Sequence, residues 1–432
     1  MNLSIIIPFT IIIICFALNM PIWHAIIAGV LSYFLFLSPG MPTQIFAQRM
    51  IAVIESHSFL AIPFFITAGA IMNYSGISSR LLNLADGLVG HLQGGLGHVN
   101  VVLSTLMGGI SGSASADAAM ECKILVPEML KKGYSKEFSA AITMVSAQIT
   151  PIIPPGMALI IYAYMVNVSV GRMFVAGYAP GILSAILLMV LVSIISKKEN
   201  YKPSRTKMAS PRELAKLSLQ GIWALLMPFG LILALRLGVF TATEAGAFCA
   251  FYSLFIGVFV YKEIKWKHAW PIIKESVQGT ATVLIIVCAA NTLSYYLTYE
   301  RVPHNMTQAL ISMNLNKYTF LLLINLVFLF IGMFMETSLI LLILAPLLAP
   351  VAVSLGIDLI HFGLVTVFNI GIGNLTPPFG MVLFQVSGLL GIPTTSLTKA
   401  SFPFLMVMLL VLFLITYIPE IVLFLPRIVY GS

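Results

Sequence analysis

The residues of this chain best placed to do chemistry sit in four short segments set inside apolar sequence. Two are rich in small and hydroxyl side chains: Gly108-Gly-Ile-Ser-Gly-Ser-Ala-Ser-Ala-Asp117, holding Ser111, Gly112, Ser113 and Ser115, and Gly332-Met-Phe-Met-Glu-Thr-Ser338, holding Glu336, Thr337 and Ser338. Two end on a double proline: Gln148-Ile-Thr-Pro-Ile-Ile-Pro-Pro155, with Thr150 inside and Gly156 after it, and Gly371-Ile-Gly-Asn-Leu-Thr-Pro-Pro378, with Gly373, Asn374 and Thr376 inside and Asn369 just before. A proline lacks the backbone donor and clashes with the preceding turn, so Pro154-Pro155 and Pro377-Pro378 each stop one half-helix and start another. The stopped half-helix offers carbonyl oxygens suited to Na⁺. The new one offers free N–H groups and a positive dipole end suited to a carboxylate. This is chemistry of binding rather than of bond breaking. An enzyme would need convergent acid, base or metal groups, and the serines of the first segment have no His or Lys beside them, so no catalytic residue is assigned.

The other reactive residue types give no competing site. Cys15, Cys122, Cys249 and Cys288 are far apart and form no CxxC or Cys/His cluster, which implies neither disulfides nor a transition-metal site. His24, His57, His91, His98, His268, His304 and His361 are scattered, mostly at expected membrane interfaces, and no Walker motif is present. Each charge inside a bilayer costs on the order of 2.5 to 3.5 kcal/mol on insertion scales, so Asp117, Glu121, Lys123, Glu244 and Glu336 each need a reason. Glu121 and Lys123 read as solvated or paired near the cytoplasmic face. Glu244 reads as a helix cap beside Thr241 and Thr243. Glu336, in an interrupted segment, reads as a ligand for ion, proton or substrate.

The elements that position these residues follow from hydropathy. Only 9% of the residues are charged and 59% are hydrophobic, with mean hydropathy +1.01, against about 25% charged in a soluble domain. Charge-free stretches such as Phe138 to Gly171, Met173 to Ser196, Ser276 to Tyr299 and Leu359 to Thr398 are long enough to cross a bilayer. No barrel-like alternation is present, so the fold class is an all-α polytopic membrane protein. Spans are predicted near 4–18, 22–37, 57–73, 138–166 and 173–196, then 217–235, 240–261, 279–299, 362–390 and 400–424. The run Ile5 to Ala17 lacks signal-peptide flanks and reads as a retained helix. The basic linker 197–216 is expected in the cytoplasm, a threading that leaves most of the 23 Lys and Arg on that side. The net charge of +8 is then an orientation signal, with no nucleic-acid partner implied. Ser78 to His98 reads as an interfacial arm, and Lys262 to Lys274, with Trp266 and Trp270, as an interfacial belt.

An offset of 223 residues pairs Gly109 with Gly332, Ser115 with Ser338, Pro127 with Pro350, Gly133 with Gly356, and Pro154-Pro155 with Pro377-Pro378. Glycine and proline punctuate backbone geometry, so these matches describe one backbone plan used twice. The division is 1–196 and 217–432, separated by the linker. Five spans per half, an odd number, gives the second half the opposite orientation: an inverted repeat, the architecture of secondary carriers. The interrupted segments 97–131 and 318–353 become re-entrant hairpins whose tips meet near the midplane, beside the broken helices 138–166 and 362–390.

Leu60-Ala-Ile-Pro-Phe-Phe65, Gly94-Gly-Leu-Gly-His-Val-Asn100, Gly108 to Asp117, Pro151-Ile-Ile-Pro-Pro155, Thr243-Glu-Ala-Gly246 and Leu375-Thr-Pro-Pro378 together resemble the large membrane subunit of tripartite ATP-independent periplasmic (TRAP) transporters, within the ion-transporter superfamily. The resemblance runs over nearly the whole chain. It implies an elevator-type carrier in the bacterial cytoplasmic (inner) membrane, driven by Na⁺ with no other cofactor. Its partners would be a small four-helix membrane subunit and a periplasmic substrate-binding protein, both separate chains. Family substrates are organic acids such as C4-dicarboxylates, sialic acid and other sugar acids. On this reading Ser111, Ser113, Ser115, Pro154, Pro155, Gly156 and Glu336 face the substrate. Gly112, Ser113, Thr150, Glu336, Thr337, Ser338, Asn369, Gly373, Asn374 and Thr376 face Na⁺. Two positions depart from the family pattern: Gly156 stands where Ser is common, and Glu336 where Asp is common. The alternative within transport is a one-component organic anion carrier coupled to H⁺ or Na⁺.

Overall fold

The computed structural model describes residues 3–431 apart from 19, 39–41, 56, 110–111, 303, 306–307 and 309–315. The described chain is all-helical, with 19 helices and no strand. Of these helices, six are long and apolar enough to cross a membrane. In order they are α1 (Leu3–Ala17), α2 (Ile22–Ser32), α3 (Gln44–Glu55), α4 (Ala61–Tyr74), α5 (Ile77–Val89), α6 (Gly95–Met107), α7 (Ala114–Lys131), α8 (Lys136–Ser146), α9 (Met157–Val166) and α10 (Val170–Lys198). Then come α11 (Pro211–Arg236), α12 (Ala242–Phe255), α13 (Ala269–Tyr299), α14 (Lys317–Gly332), α15 (Thr337–Ser354), α16 (Leu359–Gly373), α17 (Met381–Leu390), α18 (Thr394–Tyr417) and α19 (Pro419–Tyr430).

Helix starts are written locally in hydroxyl and acidic caps. Ser135 accepts from Phe138 N, Ser169 from Arg172 N, and Ser210 from Glu213 N with Pro211 at the first helical position. Asp358 accepts from Ile360 N and His361 N. Each such oxygen satisfies an N–H that the helix itself leaves unpaired. Glu244 takes the capping role read from its neighbours: Thr241 and Glu244 form a reciprocal capping box at the start of α12.

The helix bounds repeat at the interval found in the sequence. Shifting α7 (Ala114–Lys131) by 223 gives 337–354, the bounds of α15, and shifting α8 gives 359–369 inside α16. Segment 97–131 is the pair α6 and α7, and segment 318–353 the pair α14 and α15, each interrupted at its tip. Between α8 and α9, and between α16 and α17, the backbone leaves the helix at the double prolines, where Pro154-Pro155 and Pro377-Pro378 are both cis.

Two expectations need adjustment, the last span and Glu121. The span predicted near 400–424 is two helices, because Ile418 takes an extended ψ of 79° and Pro419 begins α19. His98 and His361 are buried within the protein, at 1% and 2% exposure. They bond Ser193 Oγ and Ile415 O. Glu121 is buried at 0% exposure, whereas Lys123 is exposed.

Two cores hold the helices together. The larger runs through α4 to α10 and α14 to α18 and surrounds both interrupted hairpins. The smaller joins α1 and α2 to the C-terminal half of α13 through Ile26, Val30, Tyr33, Leu293 and Tyr296. Tyr33 and Ser4 pin this second core by donating to the two carboxylate oxygens of Glu300 at 2.6 and 2.8 Å. The basic linker is strapped down. Ser204 N and Arg205 N donate to Gly90 O, Arg205 pairs with Asp86 and Glu213, and Tyr201 stacks on Tyr134 at 4.4 Å.

Candidate functional site

Each hairpin tip rests on a double-proline break. Gly112 has φ +59°, and a Cβ there would lie 2.6 Å from Pro155 O, so only glycine allows the first tip to bend left-handed and lie on the break. Ser113 then caps α7, its Oγ accepting from Ala116 N. At the second tip Glu336 is the N-cap of α15 in extended conformation and accepts from Ser338 Oγ at 2.9 Å. Asn374 ties this tip to the second break: with its amide oriented to satisfy its neighbours it donates to Gly332 O at 3.0 Å and Met335 O at 3.1 Å and accepts from Thr337 Oγ1. Gly373 serves the close approach of helices, because a Cβ on it would meet Gly332 Cα at 2.6 Å.

The half-helices after the breaks cross to the other copy: α9 packs on α15, and α17 on α7. Gln385 of α17 donates to Ser115 O at 3.1 Å. The result is a cavity of about 320 Å³ between the tips, lined by the starts of α7 (Ala114 to Ala116), α9 (Met157, Ala158), α15 (Thr337, Ser338) and α17 (Met381, Val382). Three of these starts, those of α9, α15 and α17, have no side chain capping them. At α17 the carbonyl of Asn374 accepts from Val382 N and Leu383 N, whereas the first N–H groups of α9 have no such cap and, with the aligned dipoles of these starts, suit an anion.

Of the residues predicted from sequence, the cavity gathers Gly112, Ser113, Ser115, Glu336, Thr337, Ser338 and Asn374. Pro154, Pro155 and Gly156 lie beneath the first tip and do not line it. Thr150 points the other way and donates to Asp117 Oδ2 at 2.6 Å. Asn369 donates to Asn325 O and Oδ1, and Thr376 to Ile372 O within its own turn. Ser111 lies outside the described residues.

Sequence reasoning missed the wall opposite the tips. Phe65, Ile66, Gly69, Ala70 and Asn73 of α4 and Glu275, Gly279 and Val283 of α13 complete the cavity, and Gln148 lines it from the first break. Asn73 Nδ2 donates to Glu275 Oε1 at 3.0 Å, and both residues are exposed, so they mark its mouth. The available signal was a single polar residue near the end of an otherwise apolar span (Asn73) and an acid within a basic stretch (Glu275).

Behind the first tip a buried polar group supports it. Asp117 and Glu121, one turn apart on α7, are 1% and 0% exposed. Thr150 Oγ1 donates to the first and Ser104 Oγ to Glu121 Oε1 at 2.8 Å. One turn before Ser104, Asn100 forms a separate buried group, donating to Thr143 Oγ1 and accepting from Ser146 Oγ.

The comparisons agree with this architecture. Residues 9–421 match the family model described as tripartite ATP-independent periplasmic transporter, DctM component. The sialic acid TRAP transporter large permease SiaM of Vibrio cholerae is 38% identical, with 96% of each chain covered. The C4-dicarboxylate large permease DctM of Pseudomonas aeruginosa is 35% identical, with 93% of each covered. The isethionate permease DctMQ of Oleidesulfovibrio alaskensis is 35% identical over 89% of this chain and 60% of its own length. Among solved structures, the YdaH transporter of Alcanivorax borkumensis superposes with TM-score 0.62 at 15% identity, covering 83% of this chain and 84% of its own, a likeness of fold. The protein is therefore a transporter permease rather than an enzyme, and it belongs to the DctM component family of tripartite ATP-independent periplasmic transporters.

Proposed function

We propose that this chain is the large permease of a Na⁺-coupled system that imports an organic acid across the bacterial inner membrane. The observation that carries the reading is the convergence of both hairpin tips and four helix starts on one cavity. The substrate carboxylate meets the N–H groups at those starts. Carbonyl and side-chain oxygens of the tips and breaks, with Glu336, Thr337, Ser338 and Asn374 foremost, hold Na⁺. Each Na⁺ moving inward contributes about 2.3 kcal/mol per 100 mV. Sialic acid, C4-dicarboxylate and isethionate transport by the relatives sets the range of substrates. A periplasmic binding protein delivers the acid, and a small membrane subunit completes the complex.

In this reading the halves 1–196 and 217–432 are inverted in the membrane, the hairpins are re-entrant, and the tips with their cavity move as an elevator against α4 and α13. Cysteine labelling of intact cells tests the orientation: positions 131 and 202 protected and 358 labelled is the expected pattern, and the reverse contradicts it. Uptake tests the coupling. Concentrative uptake should collapse in Na⁺-free buffer and without the binding protein. Undiminished uptake without Na⁺ would rule out Na⁺ coupling; uptake independent of the binding protein would favour a one-component carrier.

A further inference from the structure

We propose that Glu275 of α13 selects the substrate, so that the cavity takes an acid with one carboxylate and several hydroxyl or amide donors and rejects a dicarboxylate. The inference rests on reading this cavity as the acid-binding site.

The described lining carries two carboxylates, Glu336 at the second tip and Glu275 at the mouth, and no Lys, Arg or His. An anionic substrate therefore meets no cationic side chain there, only neutral donors: N–H groups at the helix starts and the hydroxyl and amide groups of residues such as Ser115, Ser338 and Gln148. Small residues keep these accessible: Ala114, Ala116 and Ala158 stand at the starts, facing Gly69 and Ala70 of α4. At the mouth the wall is acceptor-only at Glu275. Asn73 fixes Glu275 through Oε1, and its second oxygen has no hydrogen-bond donor among the described residues. A carboxylate accepts and never donates when ionised, so a substrate group that reaches Glu275 and displaces its water is favoured only if it brings a donor. A hydroxyl-rich or amide-bearing acid does so with the part of the molecule away from its carboxylate. A dicarboxylate places a second negative charge there instead. Like charges a few ångströms apart near a protein surface cost about a tenfold loss of affinity or more. Glu275 also borders the adjoining groove lined by Gln278 and Thr282 on the same helix, so a long polar substrate meets further hydrogen-bonding groups along α13.

The test is equilibrium binding to the full chain in lipid nanodiscs, at fixed Na⁺ and ionic strength, with radiolabelled gluconate and N-acetylneuraminate against succinate and malate. At least one hydroxylated monoacid should bind about tenfold or more tightly than either dicarboxylate. Glu275→Gln should bring that ratio close to one by strengthening dicarboxylate binding, and Glu275→Asp should preserve it, with thermal melts confirming that both variants fold. Tighter binding of succinate or malate by the unaltered chain, or a ratio that Glu275→Gln leaves unchanged, overturns the role of Glu275 while leaving the cavity an acid site. Binding of none of the four acids overturns the acid-site reading and this inference with it.

Discussion

The two hairpins share one backbone plan and place their charge at different depths. In the first, the tip is uncharged and the acids Asp117 and Glu121 are sealed behind it, one oxygen of each bonded by Thr150 and Ser104 and the other without a partner among the described residues. In the second, α15 contains no charged residue, and the single acid, Glu336, stands at the tip itself on the cavity. A buried charge behind a tip fixes the shape of that tip. A charge on the cavity wall can change partners when ligands arrive. The tips match in helix bounds and differ in where their acids sit: behind the first tip, and on the cavity at the second.

The largest effect should come from removing the exposed member of this contrast. Glu336→Gln keeps size and hydrogen-bonding capacity but loses the charge, so uptake by cells making the whole system should fall by about tenfold or more, with normal membrane insertion. Glu336→Asp should retain part of the activity. Next is the seat of the first tip. Gly112→Ala combines a left-handed φ with a 2.6 Å clash against Pro155 O, and uptake should be lost along with a melting-temperature drop reflecting about 2 kcal/mol or more. Gly356→Ala, with φ +70° and nothing within 4 Å of the new Cβ, should cost only about 1 kcal/mol and leave uptake intact.

Thr150→Val probes the sealed acids. It removes the donor to Asp117 and leaves a buried oxygen without its partner, which should lower stability by about 1–3 kcal/mol in a thermal melt. Equal stability of Thr150→Val and the unaltered chain would show that the network behind the first tip does not hold it. An effect as small as that of Gly356→Ala belongs to a cap outside the cavity lining: Thr241→Ala breaks the α12 capping box, costing about 1 kcal/mol with uptake unchanged.

Much of this contrast was legible in the sequence, and the reason is chemical. Glycine and proline leave few conformations open, so Gly112, Gly332 and the two Pro-Pro pairs announced the tips and breaks, and the repeat interval matched their helix bounds. Side-chain direction was less legible. Thr150, Asn369 and Thr376 lie in the right segments, yet they turn to Asp117, Asn325 and Ile372, because a broken helix presents polar groups on every side and only packing decides which side is the cavity. The opposite wall was hidden for another reason. Asn73 and Glu275 belong to helices that look like ordinary spans, and no local pattern ties them to tips far away in the chain.

The central claim is that the space between the tips is where the acid binds. The most direct test is a cryo-electron microscopy map of the chain with its partner subunit in Na⁺ and saturating substrate. The account predicts density for the acid between Ala114 to Ala116 and Thr337 to Ser338, its carboxylate toward the helix starts and its remaining polar groups toward Glu336 and Glu275. Substrate density elsewhere, with this space holding only solvent, would contradict it.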